Sequence, residues 1–138
     1  MDYKLELVLI PVSDVAAAKQ FYLERAGFDL LVDTPIFEGG RVVQLTPHGS
    51  SCSIGFGTGI TSAEPGSAQG LHLVVPDIIA AREELTGRGV KVSEIRHLED
   101  GAWVPGPDPE HRNYESFADF ADPDGNVWVL QEVDRSKS

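Results

Sequence analysis

The chain has 138 residues, 41% of them apolar and 24% charged, enough for one packed domain and ordinary for a globular protein. Its formal net charge of −11 excludes nucleic acid and an anionic membrane surface as natural partners, because phosphate binding needs clustered Lys and Arg, and the 11 present are spread along the chain. Cys52 is the only cysteine, which rules out an intramolecular disulfide and any multi-cysteine metal site and leads us to expect a cytoplasmic location.

Met1 to Glu6 shows no basic segment leading into an apolar run, and no stretch approaches the roughly 20 apolar residues of a membrane helix, so neither export nor anchoring is expected. Leu5 to Val12 reads as a strand, and Asp14 stands where a helix cap accepts backbone N–H bonds. The spacing of Val15, Ala18, Phe21 and Tyr22 predicts a helix over 15–25, ended by Gly27 in the left-handed conformation. Strands are predicted at Phe28 to Asp33, Arg41 to Thr46 and Cys52 to Gly57, separated by Pro35, Gly39-Gly40 and Pro47-His48-Gly49. Thr58 to Gln69, rich in Gly, Ser and Thr, is a connector inside one fold.

The same order then returns. Leu71 to Val75 is a strand, Asp77 a cap, Ile78 to Arg88 a helix closed by Gly89, and Lys91 to His97 a strand. Glu99 to Asn113 holds Pro105-Gly106-Pro107-Asp108-Pro109, too much proline for a central strand, and reads as an irregular excursion able to cover a pocket. Strands at Glu115 to Ala121 and Val127 to Glu132 flank Asp122-Pro123-Asp124-Gly125-Asn126, a tight turn in which Pro presets one dihedral and Gly-Asn supplies left-handed positions. The Asp residues at 14 and 77, and the Gly residues at 27 and 89, repeat at nearly one offset, which marks a duplicated supersecondary unit. The expected fold is therefore α+β, one domain over 1–138 made of two β-α-β-β-β units, about 4–58 and about 70–133.

Two such units, with the second closing on Ser116-Phe117-Ala118-Asp119-Phe120, the Asp-Pro-Asp-Gly-Asn turn and Val127-Trp128-Val129-Leu130-Gln131-Glu132, resemble the vicinal oxygen chelate superfamily. That group includes glyoxalase I, bleomycin- and fosfomycin-resistance proteins and extradiol dioxygenases. The resemblance implies that the units curl into a barrel-like cleft with the helices outside, that the cleft holds a small molecule or a metal, and that the protein is a homodimer. It also implies metal ligands seven residues before the Asp that opens each helix and four after the Gly of the turn. Those positions here are Leu7, Gly70 and Val129, none of which supplies an oxygen, nitrogen or thiolate donor. The further position that some members use falls in Cys52 to Thr58, which has no carboxylate or imidazole. Glu6 and Glu132 would enter the cleft, together with His72, only through bulges in both strands, since alternation turns them away; that slip is the one route to the alternative of a metal-dependent glyoxalase-like reaction. The expectation is a protein without metal or cofactor that binds a small, largely apolar or aromatic molecule.

Parity places His72, Gly70, Val129 and Gln131 on the face toward the cleft. His72 reads either as an acid or base or as a buried histidine bonded to a carbonyl or to Tyr114. The resemblance implies that Asp119 meets the ligand, the other reading being an exposed edge-strand residue, and with His72 it would form a proton-handling pair, the basis of an alternative reading as a metal-free lyase or isomerase. Gln131 offers hydrogen bonds to a ligand, Trp103 a stacking wall, and Trp128 belongs to the core. Leu7, Gly70 and Val129 complete the expected lining. His48, His97, His111 and Arg112 read as solvated, and Cys52 as a small buried hydrophobe. Gly55-Phe56-Gly57-Thr58-Gly59 precedes no helix signal, so a nucleotide loop is not expected.

Overall fold

Asp14 and Asp77 start their helices in the same way in the computed structural model, which describes residues 1–136. Each has extended backbone, each carboxylate accepts from the amide three residues on (Ala17 at 3.0 Å, Ala80 at 3.1 Å), and each carbonyl accepts the first helical bond, from Ala18 or Ala81, at 3.0 Å. The repeated phrase is thus a repeated cap. The chain divides into two compact units, residues 1–68 with 122–126, and residues 69–121 with 127 onward.

In the first unit the order is β1 (Leu7–Leu9), α1 (Val15–Gln20), β2 (Asp29–Pro35), β3 (Arg41–Thr46) and β4 (Ser53–Gly57). They form one sheet, β1-β4-β3-β2, with β1 parallel to β4 and the other pairs antiparallel. The expected helix to Arg25 changes character after Gln20: Phe21–Arg25 is a π-helical turn in which the Ala26 N–H reaches back to Phe21 O at 2.9 Å. This wider turn buries consecutive rings, Phe21 and Tyr22, edge-on to each other at 5.2 Å. Tyr22 also stacks on Phe28 and packs beside Phe56, and with Ile10, Val43, Leu45 and Ile54 these rings make the core of the unit.

Turn 122–126 joins this core through its side chains. Asp122 is almost fully buried, and its carboxylate accepts four bonds: from Tyr22 Oη (2.6 Å), Asn126 Nδ2 (2.8 Å), Asn126 N (2.9 Å) and Asp124 N (3.0 Å). Asn126 is fully buried and also binds Pro11 O and the Ala68 N–H. Only Gly125 in this turn has a positive φ, so Asn126 serves through its amide and not through a left-handed backbone. On β2, Asp33 accepts from Lys19 (2.6 Å) and doubly from Arg41 (2.7 Å each), and the Arg41 and Lys19 cations hold its carboxyl well below the usual carboxylate range.

The second unit runs β5 (Leu71–Val75), α2 (Ile78–Gly87), β6 (Arg96–Glu99), β7 (Ala102–Pro105), β8 (Ser116–Ala121) and β9 (Val127–Glu132). Its sheet, β5-β9-β8-β6-β7, repeats the first topology with β7 added at one edge. Two expectations are corrected here. The predicted strand over 91–97 begins only at Arg96, because the carbonyls of Val92 and Ser93 are taken by the Arg82 guanidinium at 3.2 and 2.8 Å instead of by a neighbouring strand. The proline-rich excursion contains a strand after all: β7 pairs antiparallel with β6, and Pro105 is tolerated because it ends an edge strand.

The rest of the excursion is tied down. Asp108 is fully buried and accepts from the Arg112 N–H, Nε and Nη2 at 2.8, 3.0 and 2.7 Å, and the Arg112 guanidinium holds its carboxyl well below the usual carboxylate range. His97 is buried with Nδ1 2.7 Å from Gly106 O, and His111 Nδ1 lies 2.9 Å from Glu132 Oε1. His97 is therefore buried, contrary to the expectation that it is solvated, and His111 is half-buried against Glu132, whereas Arg112 is exposed as expected while it clamps Asp108; His48 is exposed and lies 3.0 Å from Asp29. Glu132, buried on the α2 side of the sheet, spends its second oxygen on the Ile78 N–H at 2.9 Å. Cys52 is half-buried, with Sγ donating to Ser53 O.

Candidate functional site on the second sheet

Burial alternates along β8 and β9. Ser116, Ala118, Phe120, Trp128, Leu130 and Glu132 are buried on the side where α2 packs, while Phe117, Asp119, Val127, Val129 and Gln131 are half-buried on the other. The register aligns this second face into rows. His72 lies opposite Val129, which lies opposite Asp119; Val74 lies opposite Gln131, which lies opposite Phe117, which lies opposite Arg96. One face of one sheet thus carries His72, Val129, Asp119 and Gln131. Trp103 joins through β7, edge-on to Phe117 with centroids 5.3 Å apart, and Trp128 is core, stacked on Phe120.

The polar groups on this face are already engaged. Arg96 is the residue that sequence reasoning missed: its guanidinium meets Asp119 twice, Nη1 to Oδ2 at 3.0 Å and Nη2 to Oδ1 at 3.2 Å, and its Cζ sits 4.7 Å from the Trp103 ring centroid. Read as part of an irregular excursion, Trp103 gave no register from which an arginine on β6 could be placed beneath it. Asp119 is on an internal strand, so the edge-strand reading is corrected. His72 is exposed, so the reading as a buried histidine is also corrected; its Nδ1 lies 3.2 Å from Gln131 Oε1. Gln131 Nε2 in turn donates to Tyr114 O at 3.2 Å. His72 and Asp119 flank β9, one on each neighbouring strand and separated by about 10 Å at the usual strand spacing, and do not touch.

Gly70 precedes β5 with φ +73°, a left-handed position, and open space where a Cβ would stand. Leu7 belongs to β1 of the first unit, opposite Ser53. The residues at the positions where the superfamily resemblance implies a divalent metal do not fit one: Leu7, Gly70 and Val129 present hydrocarbon or nothing. Of the two carboxylates close to these positions in sequence, Glu6 is exposed, and Glu132 faces away from Gln131's side and is committed to Ile78 and His111. Among the described residues no three His, Cys, Asp or Glu side chains gather as such an ion requires. A hollow of about 320 Å³ at the β6–β7 turn, lined by Leu98, Glu99, Asp100, Gly101, Arg112 and Glu115, is too polar for an apolar guest and includes none of the residues in the rows above.

This arrangement offers an exposed indole (53% accessible), a phenyl edge, two valines and a small number of oriented donors and acceptors, groups whose chemistry allows stacking and hydrogen bonding. No helix among the described residues is long and apolar enough to cross a membrane.

Comparison with known proteins agrees with the fold. TnmS3, an antibiotic binding protein from Streptomyces sp. CB03234, superposes with a TM-score of 0.74 at 36% identity, covering 95% of this chain and 96% of that one. A glyoxalase/bleomycin resistance protein from the same strain gives a TM-score of 0.70 at 37% identity over 93% and 99% of the two chains. The uncharacterized protein YetH of Bacillus subtilis (strain 168) is 26% identical over 127 residues, 91% of this chain and 94% of that protein. The sequence profile of the Glyoxalase/Bleomycin resistance protein/Dioxygenase superfamily matches residues 4–130, and with both β-α-β-β-β units present the chain belongs to that superfamily.

Proposed function

We propose that this protein binds a small, largely apolar or aromatic organic molecule on the half-exposed face of the second sheet, without a metal or other cofactor. The observation that carries the reading is the Trp103–Phe117–Arg96–Asp119 cluster, in which an indole half open to solvent is braced edge-on by a phenyl ring and covered by a guanidinium fixed from behind. A pre-ordered aromatic surface loses little entropy when a planar guest stacks on it. Val129, His72 and Gln131 extend the same face, and Gly70, just before β5, belongs to the proposed lining. The antibiotic binding described for TnmS3 supports small-molecule binding here. We further place the protein in the cytoplasm as a homodimer, the first on its single cysteine and the second on the superfamily resemblance.

The alternative, a metal-free lyase or isomerase using His72 and Asp119 together, has less support, because Asp119 is neutralised by Arg96 and His72 bonds Gln131 on the far side of β9. Calorimetric titration with bleomycin and with 9-aminoacridine, a planar cation suited to the −11 charge, tests the binding reading. Saturable binding of at least one probe, weakened about tenfold by Trp103→Ala, is expected, a loss of about 1.4 kcal/mol and typical of one aromatic stack. Absence of saturable binding, or binding unchanged by Trp103→Ala, overturns it.

A further inference from the structure

The carbonyl of Tyr114 dictates the protonation of a histidine two groups away. A backbone carbonyl only accepts, so the Gln131 side chain must turn its nitrogen toward Tyr114 O, as it does at 3.2 Å. The Gln131 oxygen is then committed to the opposite direction, where it lies 3.2 Å from His72 Nδ1. Two acceptors do not bond, so a neutral His72 must carry its proton on Nδ1. The carbonyl is itself fixed: Tyr114 has φ +71° and its N–H donates to Glu132 O at 2.9 Å. The lone pair of His72 is therefore left on Nε2, on an exposed side chain in the row of Val129 and Asp119.

We propose that Gln131 is a positioning residue that holds His72 in the Nδ1–H form, and that His72 Nε2 is a preset acceptor for an O–H or N–H of the bound molecule, so that the ligand class is an aromatic carrying a weakly acidic donor such as a phenol. The ligand class rests on the binding reading above; the tautomer does not. A free imidazole favours the opposite tautomer, so a fixed acceptor at Nε2 is a property the chain imposes. A phenolic hydroxyl is the matching donor: it gives one directional bond to nitrogen while its ring stacks on apolar surface.

The experiment has two arms. In the first, the ring-nitrogen chemical shifts of ¹⁵N-labelled protein are read without ligand at about pH 8, above the ordinary imidazole range. The Nδ1–H form of His72 is expected to predominate in the wild type and to give way to Nε2–H in Gln131→Leu; a wild-type Nε2–H form, or no change in Gln131→Leu, refutes the positioning role. In the second, 2-naphthol and its methyl ether are titrated. The naphthol is expected to bind about five- to tenfold tighter, the worth of one hydrogen bond, with the advantage lost in His72→Phe. Equal binding of the two, or a preference that survives His72→Phe, refutes the donor class alone. Failure of both compounds to saturate refutes the donor class, and the binding reading falls with it where bleomycin and 9-aminoacridine fail as well; the tautomer stands or falls by the first arm.

Discussion

Replacing Tyr22 by phenylalanine removes one oxygen and nothing else from the core of the first unit. The ring keeps its edge-on contact with Phe21 and its packing on Phe28 and Phe56, so no cavity larger than a hydroxyl opens. What changes is Asp122, whose Oδ2 loses the 2.6 Å bond from Tyr22 and keeps only Asn126 Nδ2 at 2.8 Å. Because Asp122 is 6% exposed, water has little access to replace the lost donor. Hydrogen bonds to charged groups are worth about 1.5–3 kcal/mol, and at this burial we expect about 2 kcal/mol. For a chain of this length that corresponds to a fall in Tm of about 6–8 °C. Urea denaturation followed by far-UV circular dichroism gives the free energy and calorimetry the midpoint. A change under about 0.5 kcal/mol, with unaltered cooperativity, would show that the Tyr22–Asp122 bond does not hold the turn, and the account of the first unit's polar core would have to be abandoned.

The remaining predictions concern charge, capping and space. Asp33 and Asp108 both have carboxyls lowered in the folded state, so their contribution to stability is fully present above the unfolded carboxyl value of about 4 and is lost as pH falls toward their folded values. Asp108→Asn should therefore flatten the acid limb of a stability–pH profile recorded below about pH 4, and an unchanged slope would remove Asp108 from the account. Glu132→Ala leaves the Ile78 N–H without its acceptor and removes the contact with His111; a loss of about 1–3 kcal/mol is expected, with faster hydrogen exchange at the Ile78 amide as the local readout. Exchange at Ile78 as slow as in the wild type would contradict the cap. Gly57→Ala drives a Cβ into the Arg41 carbonyl of the paired strand and should cost about 1–3 kcal/mol by thermal melting, whereas Gly59→Ala meets no atom and should cost less, through its left-handed backbone alone.

Where the sequence predicted structure well, a local rule and a packing rule pointed the same way. Strands β3, β5 and β9 fall on their predicted bounds because apolar alternation and the flanking Gly, Pro or Asp agree. Part of the rows of the second sheet was legible for the same reason: period-2 parity put His72, Val129 and Gln131 on one side, while the pairing of β8 with β9 brings Asp119 level with them. Lys91 to Ile95 also alternates, yet the carbonyls of Val92 and Ser93 go to the Arg82 side chain, a choice that the local alternation does not record. The π-helical turn over Phe21–Arg25 is equally silent in sequence, since the pattern that buries Phe21 and Tyr22 together fits an ordinary helix. The partners of the site were hardest to foresee. His72 to Gln131, Arg96 to Asp119 and His111 to Glu132 each join residues from different elements, and such pairs depend on register between strands more than on composition.

The added strand β7 has a consequence for solubility. It forms the outer margin of the second sheet, runs for only four residues, and is closed by Pro105, Gly106 and Pro107, so it presents few free amides to an incoming chain. A margin this brief, with prolines that cannot donate to a ladder, gives cross-molecular sheet growth little template, and exposed Trp103 can stay in water without recruiting neighbours along that border.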